Sequence, residues 1–141
     1  MPNTRQGKKT NNQGRALQDS ILTTKLQEGT DWEGGLYKLT ISFPKDYPNN
    51  GPRVAFAPHF FHPNVYPDGA VCLSILTDWF PETSLKQILV GVRDLLDTPN
   101  NASAANPIAF ASYNKSNKGE YKKRVKQQAV KYRPVEELES K

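Results

Sequence analysis

An α+β fold, in which an antiparallel meander comes first and helices pack onto it afterwards, is predicted by the order of three signals along the chain. A stretch from Tyr37 to Phe43 alternates apolar and polar residues, a proline-rich segment runs from Pro58 to Pro81, and helix-start patterns fill the remainder of the chain. The 141 residues suit one domain. A hydrophobic content of 36% and a mean hydropathy of −0.70 are low for a compact fold, and point to ends that add little to the core.

Taken in order, residues 1–19 carry Ala16 and Leu17 as their only apolar pair, and are expected to form a flexible polar tail. Ile21 to Leu26 reads as a short strand, with a turn at Glu28, Gly29 and Thr30 before Trp32 and the Gly34–Gly35 pair. Tyr37, Leu39, Ile41 and Phe43 share one strand face, and Pro44 ends the strand. Val54 and Phe56 repeat this parity between Pro52 and Pro58, which gives a further strand of the meander. Pro63, Pro67 and Gly69 then break any long element, so this segment is expected to be extended with turns.

Ser84 and Gln87 form a capping box, and Leu85, Ile88, Leu89, Val92, Leu95 and Leu96 line one face of the helix it opens. Asn106 and Pro107 read as cap and first residue of a shorter helix through Tyr113. Asn117 with Glu120 predicts the start of a last helix, in which Tyr121, Val125, Ala129 and Tyr132 face inward and Lys122, Lys123, Lys126 and Lys131 face solvent. The domain is thus expected over residues 20–135, with 136–141 as a C-terminal tail.

Composition limits the function classes. A single cysteine, Cys72, allows no internal disulfide and suits a reducing compartment. No apolar run reaches the length of a membrane span. The net charge of +5 favours an acidic partner of unstated kind. Between Lys118 and Arg133 seven basic residues meet one acid, Glu120; no nucleic-acid motif accompanies this stripe, and a solvated helix face is its simpler meaning. No metal or cofactor is expected.

Cys72 is the one ready nucleophile of the irregular segment, and His62, Asn64 and Tyr66 precede it within ten residues. A lone cysteine is often a buried small hydrophobe instead. A cysteine hydrolase would use His62 or His59 as base, yet such a histidine normally comes from a distant part of the chain. His62 before Pro63 fits a structural histidine that holds the loop by hydrogen bonds.

The string from Phe61 to Leu76, with His62-Pro63-Asn64 ahead of Cys72, resembles the ubiquitin-conjugating enzyme superfamily. Trp32 to Phe43 and Asp46-Tyr47-Pro48 resemble the same family's second strand and turn. Tyr66-Pro67, Cys72 to Leu76, Lys86 to Leu96 and Tyr121 to Pro134 are most similar to its SUMO-conjugating branch. The resemblance spans roughly residues 20–134, and it implies that Cys72 carries SUMO, or alternatively ubiquitin, as a thioester received from an activating enzyme. Transfer to substrate lysines, work with SUMO ligases, and a place in nucleus and cytoplasm are implied by the same likeness. Asn64 is then expected to donate to the oxyanion of each step, and Tyr66 to line the lysine's path; Arg53, Asp68 and Ser103 complete the expected substrate contacts, with His62 and Pro63 structural.

Departures from the family pattern shape three further expectations. No acid lies between Asp97 and Glu120, so Ser103 stands nearest to the position where the family has an aspartate; slower transfer is expected, and an aspartate restored there should speed it without altering loading. Arg53 and Ala55 replace two lysines that meet an acidic residue of the acceptor, which leaves one cation for that contact. The family's N-terminal helix and first strand find no counterpart in so short and polar a tail. A relative that binds SUMO or ligases without being charged is therefore the competing expectation.

Overall fold

The computed structural model describes residues 9–10, 16–22 and 28–134. Four strands, β1 (Lys9–Thr10), β2 (Ala16–Leu22), β3 (Tyr37–Ser42) and β4 (Arg53–Ala55), pair in sequence order as one antiparallel sheet. Four helices come after them, α1 (Ser74–Thr77), α2 (Leu85–Asp97), α3 (Pro107–Tyr113) and α4 (Gly119–Lys131). Strands first and helices afterwards is the predicted α+β order.

The start of the chain corrects the sequence reading. Of the strand expected at Ile21 to Leu26, residues 21–22 fall in β2 and 23–26 lie outside the described residues; the register of β2 with β3 runs from Leu17 opposite Ser42 to Leu22 opposite Tyr37. Residues 16–19, assigned to a tail, therefore belong to the sheet, and the first strand expected to be missing exists as the short β1. Ladder hydrogen bonds are made by the backbone, so a neighbour such as β3 can order a stretch whose own side chains show no alternation. The rest of the 1–19 tail and all of 136–141 lie outside the described residues.

On β3 the alternation holds as predicted: Tyr37, Leu39 and Ile41 are buried while Lys38 is exposed. They join Val54 of β4, Ile88, Val92 and Leu96 of α2, and Tyr121 and Val125 of α4 in one apolar core. Helix α2 begins with the predicted capping box, in which Ser84 and Gln87 satisfy each other's backbone amides. Asn106 caps α3 by accepting from the Ala109 amide, with Pro107 at its first turn. Helix α4 departs from prediction: Lys118 is its cap residue, and Asn117 instead accepts from the Gly119 amide as a local turn. The proline-rich segment also holds a helix that the breakers had concealed, α1, one residue beyond Leu73.

Candidate active site

Four consecutive residues, Phe61 to Asn64, form the floor of the site, and each is tied to a different element. Phe61 exchanges two backbone hydrogen bonds with the Gln128 side chain of α4, its N–H donating to Oε1 at 2.7 Å and its carbonyl accepting from Nε2 at 3.1 Å. His62 lies against the Leu95 carbonyl of α2 at 2.8 Å through Nε2. The Pro63 carbonyl accepts from the Asn106 amide, at the cap of α3, at 3.0 Å. Asn64 reaches the loop of residues 100–103, donating through Nδ2 to the carbonyls of Asn100 at 2.8 Å and Ser103 at 2.7 Å, while Oδ1 accepts from the Asn100 amide at 2.8 Å.

This arrangement assigns the histidine tautomer. The Asn64 N–H donates to His62 Nδ1 at 3.0 Å, so Nδ1 is the acceptor and the proton sits on Nε2, where it serves Leu95. His62 is fully buried, and desolvation lowers its pKa from 6.5 to about 4, against the opposing pull of the Leu95 and Leu96 carbonyls. Both ring nitrogens are occupied by backbone partners, so His62 is no base for Cys72. His59 is exposed, with its backbone at a positive φ, on the outer turn where its N–H meets the Pro67 carbonyl. The hydrolase arrangement is absent among the described residues.

Cys72 hangs from the floor by its own backbone, its N–H donating to the Asn64 carbonyl at 2.9 Å. Its side chain is partly exposed, and the Ser103 hydroxyl donates to Sγ at 3.2 Å. The neighbouring Cys72 pushes the Tyr66 pKa upward, first as a hydrogen-bonding partner for the phenol and next through the charge the sulfur can carry. Tyr66 stays 45% exposed because a tight turn presents it outward: Gly69 N–H donates to the Tyr66 carbonyl at 2.8 Å, and Tyr66 N–H to the Ala70 carbonyl at 2.9 Å. Gly69 has φ +98, and a Cβ there would come within 2.1 Å of the Phe56 carbonyl oxygen, so glycine alone closes this turn without moving the neighbouring chain. The sulfur thus has the Ser103 hydroxyl on it and remains partly exposed.

Two sequence expectations change at this point. Asn64 was expected to donate to an oxyanion, but both Nδ2 hydrogens are engaged by the carbonyls of the 100–103 loop, which makes Asn64 the tie that holds Ser103 beside Cys72. Arg53 was expected to present a free cation; its guanidinium is paired with Asp68 Oδ2 at 3.0 Å on an exposed lip. Asp68 is drawn below the usual carboxylate range first by the Ala70 amide and then by Arg53. Arg53 on β4 and Asp68 in the following turn come together because the two stretches are bridged through Ala55 and Ala70. Ser103, placed only approximately from the sequence, touches the sulfur.

Gln128 was missed. Its signal is a polar residue in an apolar register of α4, beside the buried Val125 and Ala129; helix periodicity alone gives it no partner, because Phe61 lies 67 residues away.

A family model described as ubiquitin-conjugating enzyme matches residues 2–129. The chain is 52% identical over 107 residues to SUMO-conjugating enzyme SCE1 of Arabidopsis thaliana, covering 74% of this chain and 66% of that protein. It is 49% identical over 109 residues to SUMO-conjugating enzyme UBC9 of Caenorhabditis elegans, covering 75% of this chain and 65% of that protein. The chain spans about two thirds of the length of these curated relatives. A match over most of the sequence, on a fold that hangs its one cysteine from a His-Pro-Asn floor, establishes that this chain belongs to the ubiquitin-conjugating enzyme family.

Proposed function

We propose that this chain accepts SUMO from an activating enzyme as a thioester on Cys72 and passes it to lysines of protein substrates. The observation that carries the reading is a partly exposed sulfur with the Ser103 hydroxyl for a neighbour and no imidazole base. Such a site suits acyl exchange between thiols. The Cys72 thiolate attacks the incoming thioester carbonyl and the activating enzyme's thiolate leaves, so one C–S bond replaces another of similar energy. A neutral lysine amine then attacks the new thioester, the Cys72 thiolate departs, and the ammonium proton passes to solvent. The two relatives support SUMO over ubiquitin as cargo. Action with SUMO ligases, in nucleus and cytoplasm, belongs to the same reading and rests on family resemblance.

Incubation with ATP, activating enzyme and either SUMO or ubiquitin, read on a non-reducing gel, tests it. A thiol-sensitive adduct with SUMO is expected, and Cys72→Ala should abolish it while leaving the melting temperature close to that of the parent, since the side chain is small and only partly buried. An adduct with ubiquitin alone moves the chain to the other cargo. No adduct with either makes it a binding relative.

A further inference from the structure

We infer that Gln128, on the last helix, is a positioning residue for transfer from Cys72; this rests on the reading of the site as an acyl-transfer centre. The primary amide does for Phe61 what a neighbouring strand would do, accepting from its N–H and donating to its carbonyl. It is 9% exposed, and neither bond has water to replace it. Two more residues of the same α4 face hold the Phe61 ring. Tyr121 lies 5.7 Å from it, centroid to centroid, and the Arg124 guanidinium sits 4.3 Å above it. Phe61 is therefore gripped at backbone and ring by one helix.

Its place in the chain gives this grip a consequence. Phe61 is the first of the four residues that form the floor, and the remaining three are held by α2, by the cap of α3 and by the 100–103 loop. If Phe61 is released, His62 loses the fixed entry that directs Nδ1 at the Asn64 amide, and Asn64 in turn orients both Cys72 and Ser103. Aminolysis is the step most exposed to such drift, because the amine must meet the carbonyl in one geometry, and a displacement near 1 Å is enough to lower a rate by about 100-fold. Loading, carried by a strong sulfur nucleophile, tolerates more.

The test compares Gln128→Met, which keeps the length and removes both bonds, with Val125→Ala, which hollows the core face of the same helix and leaves the amide intact. Thioester is formed on the full chain, and its discharge to free lysine is followed in a single turnover alongside hydrogen exchange of the Asn64 amide. For Gln128→Met the limiting discharge rate is expected to fall about 10-fold with the half-saturating lysine concentration unchanged, and Asn64 exchange to quicken. Val125→Ala should stay within about 2-fold of the parent at a comparable loss of melting temperature. Parent-like discharge by Gln128→Met, or equal slowing by Val125→Ala, overturns the proposal. If Gln128→Met does not fold, the exposed Arg124→Gln substitutes for it with an expected loss of about 3-fold, and a parent rate again overturns it. A parent chain that charges with no cargo refutes the functional reading instead; Asn64 exchange then decides alone, and equal exchange in Gln128→Met and parent removes the clamp.

Discussion

The floor and the lip of this site are built by opposite rules. Phe61 to Asn64 are all buried, and each answers to a separate element of the fold. Arg53, Tyr66 and Asp68 are exposed; Arg53 and Asp68 pair with each other, and Tyr66 is held by the backbone of the local turn. Buried polar groups without water must keep their partners, so the floor has one arrangement. Exposed pairs are screened and exchange partners readily with whatever arrives. The proposed transfer, in which the site receives a protein tail and then a lysine, needs both, a fixed point for the nucleophile and a yielding rim for substrate. Ser103 belongs to each region: its carbonyl is tied into the floor by Asn64, and its hydroxyl reaches the sulfur at the rim.

The contrast is broken most severely at Asn64. Replacement by alanine removes three hydrogen bonds at once and strands two carbonyls and an amide of the 100–103 loop, which should lower stability by about 2–4 kcal/mol and slow discharge together. Were the amide chiefly an oxyanion donor, discharge would slow with stability preserved, so chemical denaturation run beside a discharge assay separates the two roles.

Acid attacks the floor through His62 and leaves the lip largely unaffected. The folded pKa of about 4 lies below the unfolded value of 6.5, so between these limits the unfolded chain binds the extra proton. Stability is then complete above about pH 6.5 and is lost as pH falls toward 4, by roughly 3 kcal/mol in all. Denaturant midpoints at several pH values should show this slope, and His62→Gln should flatten it. Parallel slopes in parent and variant would mean that other groups cause the acid loss.

The smallest effect belongs to Ser103→Asp. The sequence led to the expectation that loading would not change, but an oxygen 3.2 Å from Sγ puts the new carboxylate against the thiolate itself. Loading should slow by about 5-fold, discounted for partial exposure, even as the same charge attracts the lysine during discharge. Separate measurement of the two half-reactions decides this; unchanged loading would show that the aspartate turns away from the sulfur.

How much of this was legible beforehand differs by element. The alternation of Tyr37 to Phe43, the capping box at Ser84 and the Asn106-Pro107 start are local signals, each encoded in residues that touch one another in the finished fold. Cys72 and the His-Pro-Asn string were legible in the same way, as a run of neighbours. The start of β2 was placed too late because its order comes from the backbone of β3, to which its own side chains give no clue. The pairing of Arg53 with Asp68 joins residues 15 apart, and that of Gln128 with Phe61 joins residues 67 apart. By itself the sequence determined the class of fold, the nucleophile and the stretch of chain that carries it, since periodicity, caps and motif are properties of adjacent residues. Tertiary structure alone decided what each polar group does there, because a hydrogen bond depends on which donor and acceptor the folded chain brings within about 3 Å.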